Sequence, residues 1–171
     1  TTYSTNGNEI YEINYSKNPK GEMIITSEGL VDKFPSPEEL WQRACKIQQS
    51  VGACFNMPLR IGIGENKLLA RLAVQYQAQE NTRKYVFRYN DGICLVTPNN
   101  SRKFVKDFSI SQLPLELSVQ KRLRMLGLNK LSQIHKISQS KLVQQFGEQG
   151  RLLKLFSNGK DERTINPVKR V

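Results

Sequence analysis

The chain has 171 residues, 38% hydrophobic and 8% aromatic, with 26 Lys/Arg against 15 Asp/Glu, enough apolar material for one ordinary domain or one with a small appended unit. That content excludes a disordered basic tail, and no run of about 18 apolar residues exists that would make a membrane-crossing helix. Residues 1–100 are nearly balanced, with 11 Lys/Arg to 10 Asp/Glu, whereas residues 101–171 hold 15 to 5, so a polyanion, nucleic acid first, is the expected partner of the second part.

Glu9 to Tyr15 alternates polar and apolar residues and Glu22 to Thr26 is a short β-branched run; these read as two strands joined by a turn around Pro19 to Gly21. Ser36-Pro37-Glu38-Glu39 combines a cap, a first-position proline and an acidic third residue, a strong helix start. Leu40, Trp41, Ala44, Ile47 and Val51 then recur at helical spacing down to Gly52, a stripe to be buried on a sheet. Leu59 to Ile63 reads as a strand and Gly64-Glu65-Asn66 as a turn. Lys67 to about Gln77 follows as a helix with Leu68, Leu69, Leu72 and Ala73 inward. Tyr85 to Phe87 and Ile93 to Val96 read as strands around Asn90-Asp91-Gly92. This order predicts an α+β fold with helices over one face of a sheet. A short helix between Asn99 and Asp107 leads out.

From Gln112-Leu113-Pro114 onward the pattern changes to short helices stopped by glycine. Ser118 is the expected cap of a helix with Val119, Leu123 and Leu126 inward, Gly127 its stop and Leu128 the apolar residue beyond. Ser138 is the expected cap of the next, with Leu142, Val143 and Phe146 inward and Gly147 its stop. Gly150 to Phe156 follows, with Leu152, Leu153 and Phe156 inward. The tail after Gly159 is charged and irregular, as a linker would be.

Gly62-Ile63-Gly64, between strand and helix with Lys67 one turn on, could receive a phosphate on backbone amides, or be a tight turn; its spacing fits neither the Rossmann nor the P-loop fingerprint. The units Leu115 to Leu128 and Gln133 to Phe156 each resemble a helix-hairpin-helix, whose hairpin amides meet phosphate without reading bases. Lys121, Arg122 and Arg124 crowd the first unit, and Lys130, Lys136, Lys141, Arg151 and Lys154 surround the second. The alternative is a solvated basic face, disfavoured by the scarcity of acidic residues here. Spread over several short helices, the charge suits a membrane surface less. Cys45, Cys54, Cys94 and the lone His135 lack zinc-ligand spacing, so the cysteines are expected as free buried thiols and His135 in a structural or surface role. No catalytic constellation is visible: Glu38-Glu39 caps a helix and Asp161-Glu162 lies in the tail.

Taken together, Gly62-Ile63-Gly64-Glu65-Asn66-Lys67-Leu68-Leu69-Ala70-Arg71, then Leu113-Pro114 leading into Arg122-Leu123-Arg124-Met125-Leu126-Gly127-Leu128, then Leu142 to Phe146 with Gly147, Gly150, Gly159, Lys160, Asp161 and Arg163, resemble in order three motifs of the Y-family translesion DNA polymerases. The resemblance runs from about Tyr11 to Val171. It implies a partial palm, a mixed sheet covered by helices, over residues 1–107; a small all-α helix-hairpin-helix thumb over 108–160; and a linker over 161–171 to a C-terminal domain beyond the chain. Further implications are DNA-contacting residues at Lys121, Arg122, Arg124, Lys130, Lys141, Gly147, Gly150 and Arg151, and nucleotide-phosphate contacts at Lys67 and Arg71.

Where the family presents a Tyr-Ser-Ile/Leu-Asp-Glu turn that helps bind two metal ions, this chain has Tyr15-Ser16-Lys17-Asn18-Pro19. Asn18 and Pro19 replace the two carboxylates, and the charge to hold magnesium beside a triphosphate is missing. Ala78-Gln79 stands where a Lys-Pro is usual, and Leu115-Glu116-Leu117 where a Gly-x-Gly hairpin is expected. The resemblance therefore implies a non-catalytic relative, like the accessory members of bacterial mutagenesis cassettes. Such a protein would bind primer-template or damaged duplex in DNA repair, needing no cofactor in this chain and no membrane. It would be cytoplasmic at the nucleoid, with a replicative or translesion polymerase and a sliding clamp as further partners. Two alternatives stay open: an active, magnesium-dependent translesion polymerase fragment, and a helix-hairpin-helix nucleic-acid or protein interaction module unrelated to polymerases.

Overall fold

In the computed structural model of the chain, the described residues are 3–4, 10–11, 22–26, 36–55, 59–76, 85–90 and 92–163. The predicted Pro19–Gly21 turn and the Asn18-Pro19 pair lie outside them. Two short strands, β1 (Tyr3–Ser4) and β2 (Ile10–Tyr11), pair antiparallel. β3 (Glu22–Thr26) pairs instead with β4 (Arg60–Gly64), in parallel, so the expected pairing of the two early strands gives way to two separate ladders. The larger sheet has the order β3-β4-β6-β5, with β6 (Ile93–Leu95) parallel to β4 and β5 (Arg88–Asn90) antiparallel to β6. β5 lies three residues later than Tyr85 to Phe87, because the hairpin pairs right up to its turn, Asn90 opposite Ile93. Gly92 takes the left-handed conformation there, at φ +89°.

α1 (Pro37–Phe55) begins as the sequence predicts: the Ser36 hydroxyl accepts from Glu39 N at 3.3 Å and the Ser36 carbonyl from Leu40 N at 3.1 Å. It continues past Gly52. Leu40, Trp41 and Ala44 pack on Ile61, Ile63, Ile93 and Leu95. Alternation along the strands turns Gly62, Gly64 and Cys94 the other way, and there α2 (Lys67–Gln75) lies, with Leu68, Leu69, Leu72 and Ala73 buried as predicted. Helices therefore cover both faces of the sheet, not one. The glycines permit this: a Cβ on Gly62 would stand 2.2 Å from the Ala70 carbonyl oxygen, and one on Gly64 2.5 Å from Leu69 Cβ.

The core beneath α2 continues without a break into the second half of the chain. Phe104 of α3 (Ser101–Val105), then Phe108, Ile110 and Leu113, lead to Leu123 of α4 (Leu117–Met125), Leu131 and Ile134 of α5 (Leu131–His135), Leu142 of α6 (Gln139–Phe146), and Leu153 and Phe156 of α7 (Glu148–Ser157).

Cys94 belongs to this buried face and burial pushes its thiol up to about 12. A thiol that stays protonated while the unfolded one ionises stabilises the fold below the ordinary value of 9.0 and progressively loses that contribution as pH climbs toward 12. Native protein at pH about 8 should resist iodoacetamide at Cys94 and react after denaturation, since the thiolate is the nucleophile; equal rates in the two states would contradict this placement.

Candidate nucleic-acid interface

The helical half is built by its turns. Glu116, not Ser118, is the cap residue of α4, and the Ser118 hydroxyl donates to the Glu116 carboxylate at 3.5 Å. Leu123 is buried and Val119 packs against the core as expected, but Leu126 is 60% exposed and Gln120 is buried instead, its amide donating to the carbonyls of Leu113 and Leu115, both at 3.2 Å. Those two bonds satisfy the amide and hold the connection entering α4. At the other end the predicted stop holds. Gly127, at φ +73°, donates to the Arg124 carbonyl and Leu128 to that of Leu123, the paired bonds of a Schellman turn.

Gln133 then ties α4 to α5, its side-chain oxygen accepting from Asn129 N and Lys130 N and its amide donating to the Gly127 carbonyl. Ser138 stands at the cap position of α6, without a side-chain capping bond. Leu142 is buried, but Val143 is 40% exposed and turns outward. Gly147, at φ +56°, closes α6 and opens α7. In α7, Gly150 lets the two helices touch: its Cβ would stand 2.1 Å from the Leu142 carbonyl oxygen.

The predicted DNA-contacting residues fall into two groups. Lys121, Arg124, Lys130 and Lys141 are exposed, and none makes an ion pair or side-chain hydrogen bond among the described residues. Arg122 and Arg151 have structural partners. Arg122 donates to the Gln145 backbone carbonyl and side-chain oxygen at 3.3 and 3.1 Å and lies over the Phe146 ring, stapling α4 to the end of α6. Arg151 binds Glu148 and Glu162, both at 2.8 Å, and those carboxylates hold its guanidinium firmly protonated. Gly147 and Gly150 are explained by turn and packing. The tail, expected to be irregular, is so through Arg163, but it is anchored: Arg163 forks onto Asp161 and lies over Phe156.

At the β4–α2 turn, Asn66 accepts from Leu69 N at 3.0 Å, so the start of α2 is capped from within. Its amide donates to the Gly159 carbonyl at 2.9 Å, joining the end of α7 to this turn. Close packing accounts for both glycines of the motif; Lys67 is half-buried in the first turn of α2 and Arg71 exposed one turn on. Among the described residues no three His, Cys, Asp or Glu side chains converge as a cation site.

His135 is half-buried. Its Nε2 accepts from Arg102, and its Nδ1 is buried with no partner. Burial, then the charges of Arg102, Lys154 and Lys106, hold it below the ordinary 6.5, hence neutral at physiological pH. Lys154 sits beneath, donating to the carbonyls of His135 and Ile137 at 2.9 and 2.7 Å.

This architecture is shared with polymerases. The chain superposes on DinB from Sulfolobus solfataricus with a TM-score of 0.57 and 20% identity, covering 76% of this chain and 36% of that one. On a Dbh ternary complex the TM-score is 0.58 at 20% identity, covering 77% and 37%. No protein-family model matches the chain. Sequence carries the likeness further than fold alone, to Y-family DNA polymerases. The polymerases it matches are DNA polymerases IV. That of Yersinia pseudotuberculosis serotype O:1b (strain IP 31758) is 32% identical over 125 residues, 72% of this chain and 32% of that protein. That of Clostridium perfringens (strain ATCC 13124) is 26% identical over 127 residues, 74% and 32%. The chain thus spans about a third of the length of these curated relatives, and the reading of an unrelated interaction module is set aside.

Proposed function

We propose that this chain is the palm-and-thumb portion of a Y-family polymerase relative that binds DNA without regard to sequence and does not itself polymerise, acting in DNA repair or translesion synthesis. The observation that carries the DNA reading is the set of exposed cations Lys121, Arg124, Lys130 and Lys141 on and between α4 and α6, none of them paired among the described residues. Cations of this kind neutralise backbone phosphates and release counterions, which needs no base identity. Arg122, Gly147, Gly150 and Arg151 serve indirectly, by fixing the helices that present them. The sheet half is the scaffold.

Support for the non-catalytic part is the sequence at Asn18-Pro19, where a neutral amide and a side chain without a ligand atom replace the family's two carboxylates. Lys67 and Arg71, in the first two turns of α2, are candidate phosphate contacts. Kinship to DNA polymerase IV favours a second reading, an active polymerase whose carboxylates come from elsewhere in the protein. Recruitment of a partner polymerase or clamp rests on the family resemblance alone.

Titration of a labelled primer-template with the intact protein, at two salt concentrations and with or without magnesium and the matching dNTP, separates the readings. The expected result is salt-sensitive binding indifferent to magnesium and dNTP, with no primer extension. Extension, or tightening by the matching dNTP, would establish the active enzyme instead. Each of the four cations changed to Gln should lower the slope of log K against log salt by about 0.9.

A further inference from the structure

We propose that Arg102 of α3 and Lys106, the residue that caps its end, form a second phosphate contact, where α3 meets α5, and that His135 at the end of α5 couples this contact to the uptake of a proton. The inference rests on the DNA reading above and names residues outside the α4–α6 set. Arg102 and Lys106 are four residues apart and therefore neighbours on the helix surface, and both are exposed. The Lys106 carbonyl accepts from Ser132 N at 3.0 Å, which fixes the end of α3 against α5. The Arg102 guanidinium reaches across to His135 Nε2. Lys154 of α7 approaches from beneath through its two carbonyl bonds, and Lys136 follows His135 on the surface. No carboxylate among the described residues pairs with Arg102, Lys106 or Lys136. Arg102 and Lys106 from the α3 side and Lys154 from α7 thus act on one imidazole, with no carboxylate paired to Arg102 or Lys106 among the described residues, and a phosphodiester supplies both the charge and the acceptor oxygens that the guanidinium fork matches.

The ring is the reporter. With Nε2 accepting from Arg102, the ring hydrogen sits on Nδ1, which is buried and without an acceptor. A phosphate that draws the Arg102 N–H groups to itself frees Nε2 and screens the repulsion from Arg102, Lys106 and Lys154. Nε2 then takes one proton from solvent, and the complex holds one proton more than its parts. The sign follows: the free ring titrates below 6.5 and the bound ring higher, so affinity rises as pH falls through the interval between them and is flat on either side.

The test measures binding of a fluorescein-labelled duplex to the intact protein across salt and across pH from about 5.5 to 8, the interval that brackets histidine titration. Arg102→Gln with Lys106→Gln should reduce the salt slope by about 1.8, two contacts at about 0.9 each. His135→Gln should abolish the gain in affinity at low pH, while Lys121→Gln should lose slope but keep that gain. An unchanged slope in the double variant overturns the contact, and a persisting pH gain in His135→Gln overturns the coupling. If the intact protein binds no duplex at all, it is the DNA reading itself that fails.

Discussion

Phe104→Ala should cost about 3–5 kcal/mol, the range for truncating a buried phenylalanine, and should do so in one transition that takes the sheet half and the helical half down together. Phe104 is fully buried; its ring lies 5.7 Å from that of Tyr76, at the end of α2, and 5.0 Å from that of Phe108, which enters the helical half. Both pairs are tilted, the geometry in which ring quadrupoles attract and add to the area buried. The same apolar cluster holds Leu68, Leu69 and Leu72 on one side and Leu123, Leu153 and Phe156 on the other, so the cavity left by the ring opens between them. Total stabilities of about 5–15 kcal/mol leave little in reserve after such a loss. The check is urea unfolding followed at once by far-ultraviolet circular dichroism and Trp41 fluorescence. Coincident curves, both shifted, are expected; loss of helical signal with Trp41 unaffected would mean that the halves unfold independently.

Gly150→Ala should destabilise by about 3 kcal/mol or more, at the upper end of overpacking costs, even though alanine is intrinsically the better helix former by about 1 kcal/mol. The clash wins because all three nearest atoms to the added Cβ are backbone: Leu142 O at 2.1 Å, Leu142 C at 2.4 Å and Val143 N at 2.8 Å. No side chain can rotate away, so α6 and α7 must move apart, and Leu142 and Leu153 lose their close packing. For a folding unit of about 150–250 residues that is a fall in melting temperature of about 6–12 °C. The variant also separates two roles for this glycine, which in the family resemblance marks a DNA contact. Unchanged melting together with weaker duplex binding would make Gly150 a contact residue and refute the packing account.

Local signals were the legible ones. Ser36-Pro37-Glu38-Glu39 started α1, the run Leu68-Leu69-x-x-Leu72-Ala73 faced inward, and Gly127-Leu128 closed α4, because each depends on chemistry within a turn or two of chain. Gln120 escaped: periodicity assigns apolar residues to the interior, and only the fold shows two carbonyls placed to satisfy a buried amide. Whether α2 lies on the same face as α1 was equally invisible, since Gly62 and Gly64 read as a turn and not as the flat strand surface on which a helix rests. At the candidate site, charge counting found the basic half but could not tell Arg122 and Arg151, committed to Gln145, Glu148 and Glu162, from the unpaired Lys121 and Lys141. The spacing of Arg102 and Lys106 was the signal for the α3 surface; its meaning needed His135, brought up from 33 residues away.

Asn66 and Gly159 are 93 positions apart, yet one hydrogen bond joins them, and the left-handed Gly159 seats against the backbone of Ser101, where a Cβ would meet carbonyl carbon at 2.8 Å. The β4–α2 turn therefore acquires its last partner only when residues 93 positions further along the chain arrive. During synthesis the sheet half must wait, with the Asn66 amide hydrated and the apolar face of α2 uncovered, until α7 has emerged. Such late, long-range closure slows folding relative to a chain whose helices pack as they appear, and it makes the nascent first half a client for whatever shields exposed apolar surface in the meantime.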